Sequence, residues 1–399
     1  MANKVWCRIF QGGMKIGNYF LGYRTPEYIE GAGSVKKLAK ILKEQGLNDI
    51  LTVTDNGLIG LGLPDKMFEE FKREGIRYTV FSDIEKNPSS NDIKNGTKIY
   101  LDNKCTAIVA FGGGAPMDTA KAIGACIARP GKTITKMQGV LKVGRKIPPL
   151  FAVPTTAGTG SETTLAAVIT DSETHHKASV NDPHLIPKFA VLDPELTVGL
   201  PPFVTATTGM DALCHAVESY TNHTYNTKLE DRLAIDAVKL IHESLLTAYR
   251  DGSNLEARQK MQKAAFFAGR SFTRGCVGYV HAVGHTLGGL YGVAHGLAMS
   301  VILPHVLRQF GPAVTKRLAV LADACGMSGN TPEEKAEAFI SWIEQLKKDM
   351  DIPVGIDVIR DEDIEKIIDW ADAEANPLYP VPVIWQRDDF RKLINNLRK

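Results

Sequence analysis

The stretch TAIVAFGGGAPMDTAKAIGACIA, residues 106–128, passes from a short apolar run through three glycines into a longer helix-like segment. TAIVAF is typical of a buried β-strand, and the residues after the glycines are typical of a helix. Gly112, Gly113 and Gly114 permit a tight turn and a close approach of the backbone to a phosphate. The start of the helix adds unpaired N–H groups and the positive end of the helix dipole. Although GxGxxG spacing is absent, the stretch predicts an α/β unit with a candidate phosphate-binding turn.

The same alternation of strand and helix continues on both sides of this stretch. Helices are predicted over about 64–74 and over SSNDIKNGTKIYLDNK, residues 89–104. Further strands are predicted at 49–55, 76–81, 150–154, 165–170, 177–180 and 189–193. This rhythm favours a mostly parallel sheet with helices on both faces.

The pattern changes after LPPF, residues 200–203. From Thr207 onwards nearly every segment carries the 3.6-residue apolar period of helices. A chain of 399 residues normally makes two domains, and Pro201–Pro202 is a candidate hinge between them. We therefore predict an α/β dinucleotide-binding domain over 1–202 and an all-helical, metal-binding domain over 203–399.

Four side chains in the second half have the composition of a metal site. Asp211 and His215 stand four residues apart in TGMDALCHAVESY, whose spacing is helical, so they share one face. His281 and His295 frame VHAVGHTLGGLYGVAHG, which is dense in glycine and histidine. One carboxylate and three imidazoles suit Fe(II) or Zn(II), with a coordination position left for a substrate oxygen. A metal-dependent enzyme is the leading interpretation.

Two further features of the first half point to a dinucleotide. PTTAGTGSE, residues 154–162, is a second glycine- and hydroxyl-rich loop directly after a predicted strand. Asp55 ends the first predicted strand, where a carboxylate can bind an adenosine ribose and repel a 2′-phosphate, which favours NAD over NADP. The alternative is that Asp55 only caps a helix or turn.

Composition excludes several other classes. The net charge of +2 is spread without a basic block, so nothing indicates a nucleic-acid or membrane-surface partner. No run of about 18 apolar residues exists, and the first residues lack the apolar core of a secretory signal. Six cysteines occur without a CxxC pair, which is typical of reduced thiols in the cytoplasm.

These motifs together resemble the iron-containing (group III) alcohol dehydrogenase family. The resemblance runs from EGAGSVKKL (30–38) to ILPH (302–305) and is loose over the first thirty and last ninety residues. It implies the two-domain architecture that this family shares with dehydroquinate synthase. It also implies an NAD-linked enzyme that interconverts a short- to medium-chain primary alcohol or diol and its aldehyde, assembled as a homodimer or larger homo-oligomer.

The resemblance also assigns roles to residues. It implies metal ligands at Asp211, His215, His281 and His295, and it places His285 near the nicotinamide and substrate, as a proton relay or as part of the pocket wall. Implied NAD contacts are Asp55, Asn87, Gly113, Gly114, Asp118, Thr155, Thr156, Thr164 and Lys177. Ala166 and Phe272 are implied pocket residues. One departure is Ala115, where many members have serine; we expect a weaker hold on the cofactor there.

Three alternatives remain. A zinc enzyme of the glycerol dehydrogenase type is weakened because that relative lacks the fourth ligand supplied here by His295. A lyase resembling dehydroquinate synthase needs a Lys and Arg cluster for its substrate, whereas the segments near the predicted metal are apolar and glycine-rich. A non-catalytic regulator on this scaffold would be expected to have lost a ligand or a phosphate-loop glycine.

Overall fold

A computed structural model describes residues 3–85, 87–173 and 177–398, without the side chain of Lys177. By contacts the chain divides into two units, one spanning Gly22–Gly199 and one formed by the helix Lys4–Phe20 together with the residues from Leu200 onwards.

The first unit is the predicted α/β unit. Its strands are β1 (Glu27–Glu30), β2 (Asp49–Val53), β3 (Arg77–Phe81), β4 (Ala107–Gly112), β5 (Gly139–Val140), β6 (Leu150–Pro154), β7 (Ala166–Thr170), β8 (Lys177–Asn181) and β9 (Phe189–Leu192). Helix α1 (Lys4–Phe20) belongs to the other unit. The helices of this unit are α2 (Leu38–Glu44), α3 (Asn56–Gly60), α4 (Asp65–Glu74), α5 (Ser90–Asp102) and α6 (Gly114–Ala128).

Six of these strands form one sheet in the order β1-β9-β6-β4-β2-β3, and every pairing in it is parallel. Alternate side chains of β4 enter two different cores: Ile108 and Ala110 pack on the side of α5 and α6, and Val109 and Phe111 on the side of α2 and α4. The predicted parallel sheet covered on both faces is confirmed. Strands β5, β8 and β7 form a separate small sheet.

The second unit is helical. Besides α1 it contains α7 (Pro202–Asn222), α8 (Lys228–Arg250), α9 (Leu255–Gly275), α10 (Tyr279–Tyr291), α11 (His295–Phe310), α12 (Pro312–Ala324), α13 (Pro332–Asp349), α14 (Ile364–Ala375) and α15 (Arg387–Leu397). Helix α7 is buried along most of its length and packs against α8, α9 and α11. It forms the centre of this unit.

The observed division differs from the expected ranges 1–202 and 203–399. The chain enters the helical unit at Leu200, three residues early, and helix α1 groups with the helical unit. The physical reason lies in α1: Gln11 Nε2 donates to the carbonyl of Tyr379 at 2.8 Å, and the Arg8 guanidinium donates to the carbonyls of Val381 and Pro382 at 2.9 and 2.8 Å. No described helix is both long enough and apolar enough to cross a bilayer.

Candidate metal centre and cofactor residues

Three helices of the second unit bring the four candidate ligands together. Asp211 and His215 lie one turn apart on α7, His281 lies in the first turn of α10, and His295 is the first residue of α11. One potential ligand atom from each lies within 4.8 Å of every other. The clustering predicted from the sequence is therefore present.

The Oδ1 atom of Asp211 is the common point of the cluster. It lies 3.2 Å from His295 Nε2 and 3.9 Å from the Nε2 atoms of both His215 and His281. Ligand atoms placed tetrahedrally about one ion at ~2.1 Å are ~3.4 Å apart, so these separations match the donor set of a single cation. Asp211 Oδ1 and His281 Nε2 are buried and have no hydrogen-bond partner within the described chain. Buried polar atoms rarely stay unpaired, which supports a cation between them.

The charge states also fit a cation. Burial lowers the pKa of His215 to about 3 and that of His281 well below its usual value, so both rings are neutral near pH 7. Burial alone would raise the pKa of Asp211, but its contacts with His215, His295 and His281 hold it well below the ordinary value. A carboxylate and neutral imidazoles are the forms that bind metals.

A buried carboxylate, that of Glu218, contacts the side of His281 that faces away from Asp211. Glu218, two turns beyond Asp211 on the same face of α7, accepts from Val280 N at 2.8 Å and pairs with His281 Nδ1 at 2.5 Å. A histidine that donates from Nδ1 presents Nε2 as a lone-pair donor to a metal. Burial raises the pKa of Glu218 to about 7. Sequence reasoning missed this residue, although its seven-residue spacing from Asp211 was a usable signal.

Glycines let the three helices approach closely. A Cβ on Gly296 would lie 2.4 Å from the carbonyl oxygen of Thr207, and one on Gly278 would lie 2.8 Å from Glu218 Oε1. A side chain at 296 would collide with the backbone of α7, and one at 278 would displace the Glu218 carboxylate, so these glycines allow α11 and α10 to pack against α7. Phe272 stacks on the ring of His215, with centroids 4.2 Å apart. The implied pocket residue thus touches a candidate ligand.

His285 lies one turn beyond His281, at the edge of the cluster. Its ring stacks on His295 with centroids 5.2 Å apart, and its Nδ1 lies 2.7 Å from Glu374 Oε1. The same carboxylate oxygen accepts from the Tyr379 hydroxyl at 3.0 Å. Burial works against ionisation of Glu374, yet His285 and Tyr379 bring its pKa below the ordinary value. Glu374 and Tyr379 were also missed, and nothing in the sequence links Glu374 to His285, 89 positions away.

The side chains also differ in how far they reach solvent. His295 is 42% exposed, whereas Asp211, His215 and His281 are each almost fully buried. The buried trio is enclosed by helix packing, and His295 reaches Asp211 from the solvent-exposed start of its helix.

In the α/β unit, several predicted cofactor residues lie at the carboxyl ends of β2, β4 and β6, which are neighbours in the sheet. Gly113 and Gly114 follow β4 and begin α6, and Thr155 and Thr156 follow β6. Thr155 N donates to the carbonyl of Gly112 at 3.1 Å, which joins the two loops. Asp55 follows β2 and accepts from Leu58 N at 2.9 Å as the cap of α3. The capping alternative for Asp55 is therefore present, and it leaves the ribose role as a prediction.

The remaining predicted cofactor residues are held differently. Asp118 accepts from Ser161 Oγ at 3.2 Å and Val168 N at 3.1 Å, and the hydroxyl of Thr164 accepts from Lys121 Nζ at 2.7 Å. Asn87 is exposed between β3 and α5. Lys177 begins β8, and its side chain lies outside what the structure describes.

Lys121, which sequence reasoning also missed, is fully buried and ties α6 to the loop after β6. Its ammonium donates to Ser161 Oγ at 2.9 Å, to Thr164 Oγ1 at 2.7 Å and to the carbonyl of Ala166 at 2.9 Å. Burial lowers its pKa to about 8. The three bonds fix the shape of the loop that carries PTTAGTGSE.

Comparison with known proteins connects these features. The family profile described as iron-containing alcohol dehydrogenase matches residues 25–194, and the one described as Fe-containing alcohol dehydrogenase family, C-terminal, matches residues 205–397. The chain is 39% identical over 352 residues to NAD-dependent methanol dehydrogenase from Bacillus methanolicus, covering 87% of this chain and 91% of the relative.

Solved structures agree. A 1,3-propanediol oxidoreductase superposes with a TM-score of 0.90 at 32% identity, covering 94% of this chain and 99% of that one. A sulfoacetaldehyde reductase from Bifidobacterium kashiwanohense, solved in complex with NAD+, superposes with a TM-score of 0.85 at 29% identity, covering 95% of this chain and 99% of that one.

Proposed function

Since the chain belongs to the iron-containing alcohol dehydrogenase family of NAD-dependent enzymes, we propose that it interconverts a short- to medium-chain primary alcohol or diol and its aldehyde. The observation that carries this proposal is the cluster of Asp211, His215, His281 and His295 with its unpaired buried atoms. Fe(II) is the proposed ion, and the proposed cofactor is NAD.

The four residues of the cluster would hold the cation. When bound, it supplies Lewis-acid polarisation of an alcohol or carbonyl oxygen. The chain contributes a fixed donor set: Glu218 keeps His281 in the tautomer with a lone pair on Nε2. Phe272, stacked on His215, supplies an apolar wall that suits a small hydrocarbon substrate.

Oxidation of an alcohol also releases the hydroxyl proton, and His285 is the proposed acceptor. The ionised Glu374 accepts a hydrogen bond from the N–H at His285 Nδ1. The Nε2 atom of His285 therefore carries a lone pair, which can receive the proton of the alcohol. The His285 side chain is 39% exposed, so it can pass the proton to water. Tyr379 fixes Glu374 through the same carboxylate oxygen.

NAD would accept the hydride and bind along the carboxyl ends of β2, β4 and β6. Gly113 and Gly114 would offer backbone N–H groups to the pyrophosphate. Asp55 has carboxylate lone pairs beyond the one used by Leu58 N, and these would take the ribose hydroxyls. Asn87, Asp118, Thr155, Thr156, Thr164 and Lys177 complete the proposed set.

A screen of short alcohols, diols and aldehydes with NAD and NADP tests the proposal, read as absorbance at 340 nm with added Fe(II), Zn(II) or chelator. His281→Ala should abolish turnover and leave NAD binding nearly intact. Turnover at the unmodified rate in that variant would refute the metal mechanism.

Zinc is the second candidate ion, because three imidazoles and a carboxylate also suit Zn(II). Metal analysis of protein purified without oxygen separates the two: stoichiometric zinc with full activity would favour a polyol oxidoreductase of the glycerol dehydrogenase type. We further propose a cytoplasmic homodimer or larger homo-oligomer, in keeping with six free cysteines.

A further inference from the structure

Helix α1 turns its apolar side away from the protein. The side chains of Val5, Trp6, Ile9, Ile16, Tyr19 and Phe20 are all more than half exposed. At 100° per residue these positions fall within an arc of ~140° on the helix surface. They form one apolar stripe that runs the length of the helix, which we call the α1 stripe.

The opposite side of the helix is fixed to the helical unit by polar contacts. Cys7, Gln11 and Asn18 are buried there. Gln11 and Arg8 donate to three carbonyls of the segment 379–382 at 2.8–2.9 Å. The outward direction of the α1 stripe is therefore imposed by the hydrogen bonds on its back.

The charges around the stripe are of one sign. Lys4, Arg8, Lys15 and Arg24 are the only charged residues before Glu27. By helical spacing Lys4 and Lys15 line one flank of the stripe, whereas the Arg8 guanidinium is bonded to the carbonyls behind the helix. Aromatic and aliphatic side chains beside a basic flank are the pattern of helices that lie in the interface of anionic bilayers.

A second copy of the chain fits this face less well. A helix of 17 residues is ~25 Å long, so the stripe alone would give a second copy only one short helix–helix contact. Pairing two copies through the stripe would also bring basic flanks towards each other without an acidic partner in either helix. The helix precedes the residues matched by the family profiles, which begin at 25.

We propose that α1 docks the protein on the surface of an anionic lipid bilayer, with the α1 stripe in the interface and the basic flank against the headgroups. Helix α1 would then lie parallel to the bilayer surface and would not cross the bilayer. It is independent of turnover, so its test does not depend on the proposed function.

The test is sedimentation of the full chain with vesicles of phosphatidylcholine alone or mixed with phosphatidylglycerol. The unmodified protein should sediment with the anionic vesicles, and less so as ionic strength rises. The triple variant Trp6→Ser, Ile9→Ser, Ile16→Ser should lose binding by about tenfold or more. A matched triple variant of exposed apolar residues elsewhere, Leu61→Ser, Leu101→Ser, Val354→Ser, should bind as the unmodified protein does.

Two further variants sharpen the result. Lys4→Gln with Lys15→Gln should reduce binding to anionic vesicles to the level seen with neutral ones. Trp6→Phe should still bind but lose the blue shift of tryptophan emission that insertion produces. Circular dichroism and turnover should be unchanged in all variants, because none of these residues lies in the metal or cofactor set.

Equal binding by the stripe variant and the unmodified protein, or no binding by either, would overturn the proposal. The same holds if vesicles do not bind and the stripe variant instead converts a larger assembly into a smaller one in sedimentation velocity. That outcome would assign the face to a second copy of the chain.

Discussion

Replacing Glu218 by glutamine tests whether the carboxylate behind His281 sets metal affinity. One oxygen of Glu218 accepts from Val280 N and the other pairs with His281 Nδ1. Glutamine has one accepting oxygen and one donating amide group, so it cannot serve both donors. If its oxygen stays with Val280 N, its amide group faces His281 Nδ1, and the ring must move its proton to Nε2.

The size of the effect follows from that tautomer change. Nε2 is the atom of His281 directed at Asp211 Oδ1, 3.9 Å away, and a proton on it blocks its use as a ligand. Loss of such a supporting hydrogen bond costs about 10–100-fold in metal affinity, or about 1.4–2.8 kcal/mol. If the glutamine side chain instead turns its oxygen to His281 Nδ1, the hydrogen bond from Val280 N is lost. The loss of metal affinity should then be near tenfold, the smaller end of the range.

The assay is titration of metal-free protein with Fe(II) or Zn(II) against a competing chromophoric chelator. Glu230→Gln is the matched control: Glu230 is an equally buried glutamate, paired with Arg270 at 3.0 Å and not in contact with the four candidate ligands. The control should keep the metal affinity of the unmodified protein. A Glu218→Gln protein that folds normally and binds metal as tightly as the control would refute the reasoning.

The remaining predictions concern three other side chains. Glu374→Gln should lower kcat by about tenfold or more with metal content unchanged, because His285 loses its ionised partner; an unaltered kcat would remove Glu374 from the proton path. Asp55→Asn keeps the capping oxygen of α3 but removes the charge, so the ratio of kcat/KM with NADP to kcat/KM with NAD should rise. An unchanged ratio would mean that Asp55 only caps the helix. Lys121→Met should lower the free energy of unfolding of the α/β unit by about 1–3 kcal/mol in urea titration, because three buried acceptors lose their donor, and an unchanged free energy of unfolding would contradict that account.

Much of the α/β unit was predictable because its strands are continuous apolar runs bounded by glycines and polar turns. Strand β6 was predicted at 150–154 and is observed at Leu150–Pro154. Strand β1 was not predicted, since EYIE has an acidic residue at each end and lies mostly exposed at the sheet edge. The sequence did not indicate that α1 belongs to the helical unit. The face of α1 that packs on this unit is mainly polar, and periodicity identifies only apolar faces that pack inward.

For the site, local spacing carried the prediction only part of the way. Asp211 and His215 were placed together by helical periodicity. His281 and His295 lie on different helices, so they were joined to the pair only by the residue types that suit a metal and by the family resemblance, not by any spacing. Glu374 was out of reach because its meeting with His285 depends on how α14 packs on α10, which no short-range pattern encodes.

The uneven exposure of the four candidate ligands has a kinetic consequence. Three of them are buried inside packed helices, whereas His295 already lies 3.2 Å from Asp211 and is the one candidate ligand that solvent reaches directly. Water should therefore compete with a bound ion first at His295. The lifetime of the loaded state should therefore be governed by this single ring and by the short turn between α10 and α11, more than by the depth of the other three.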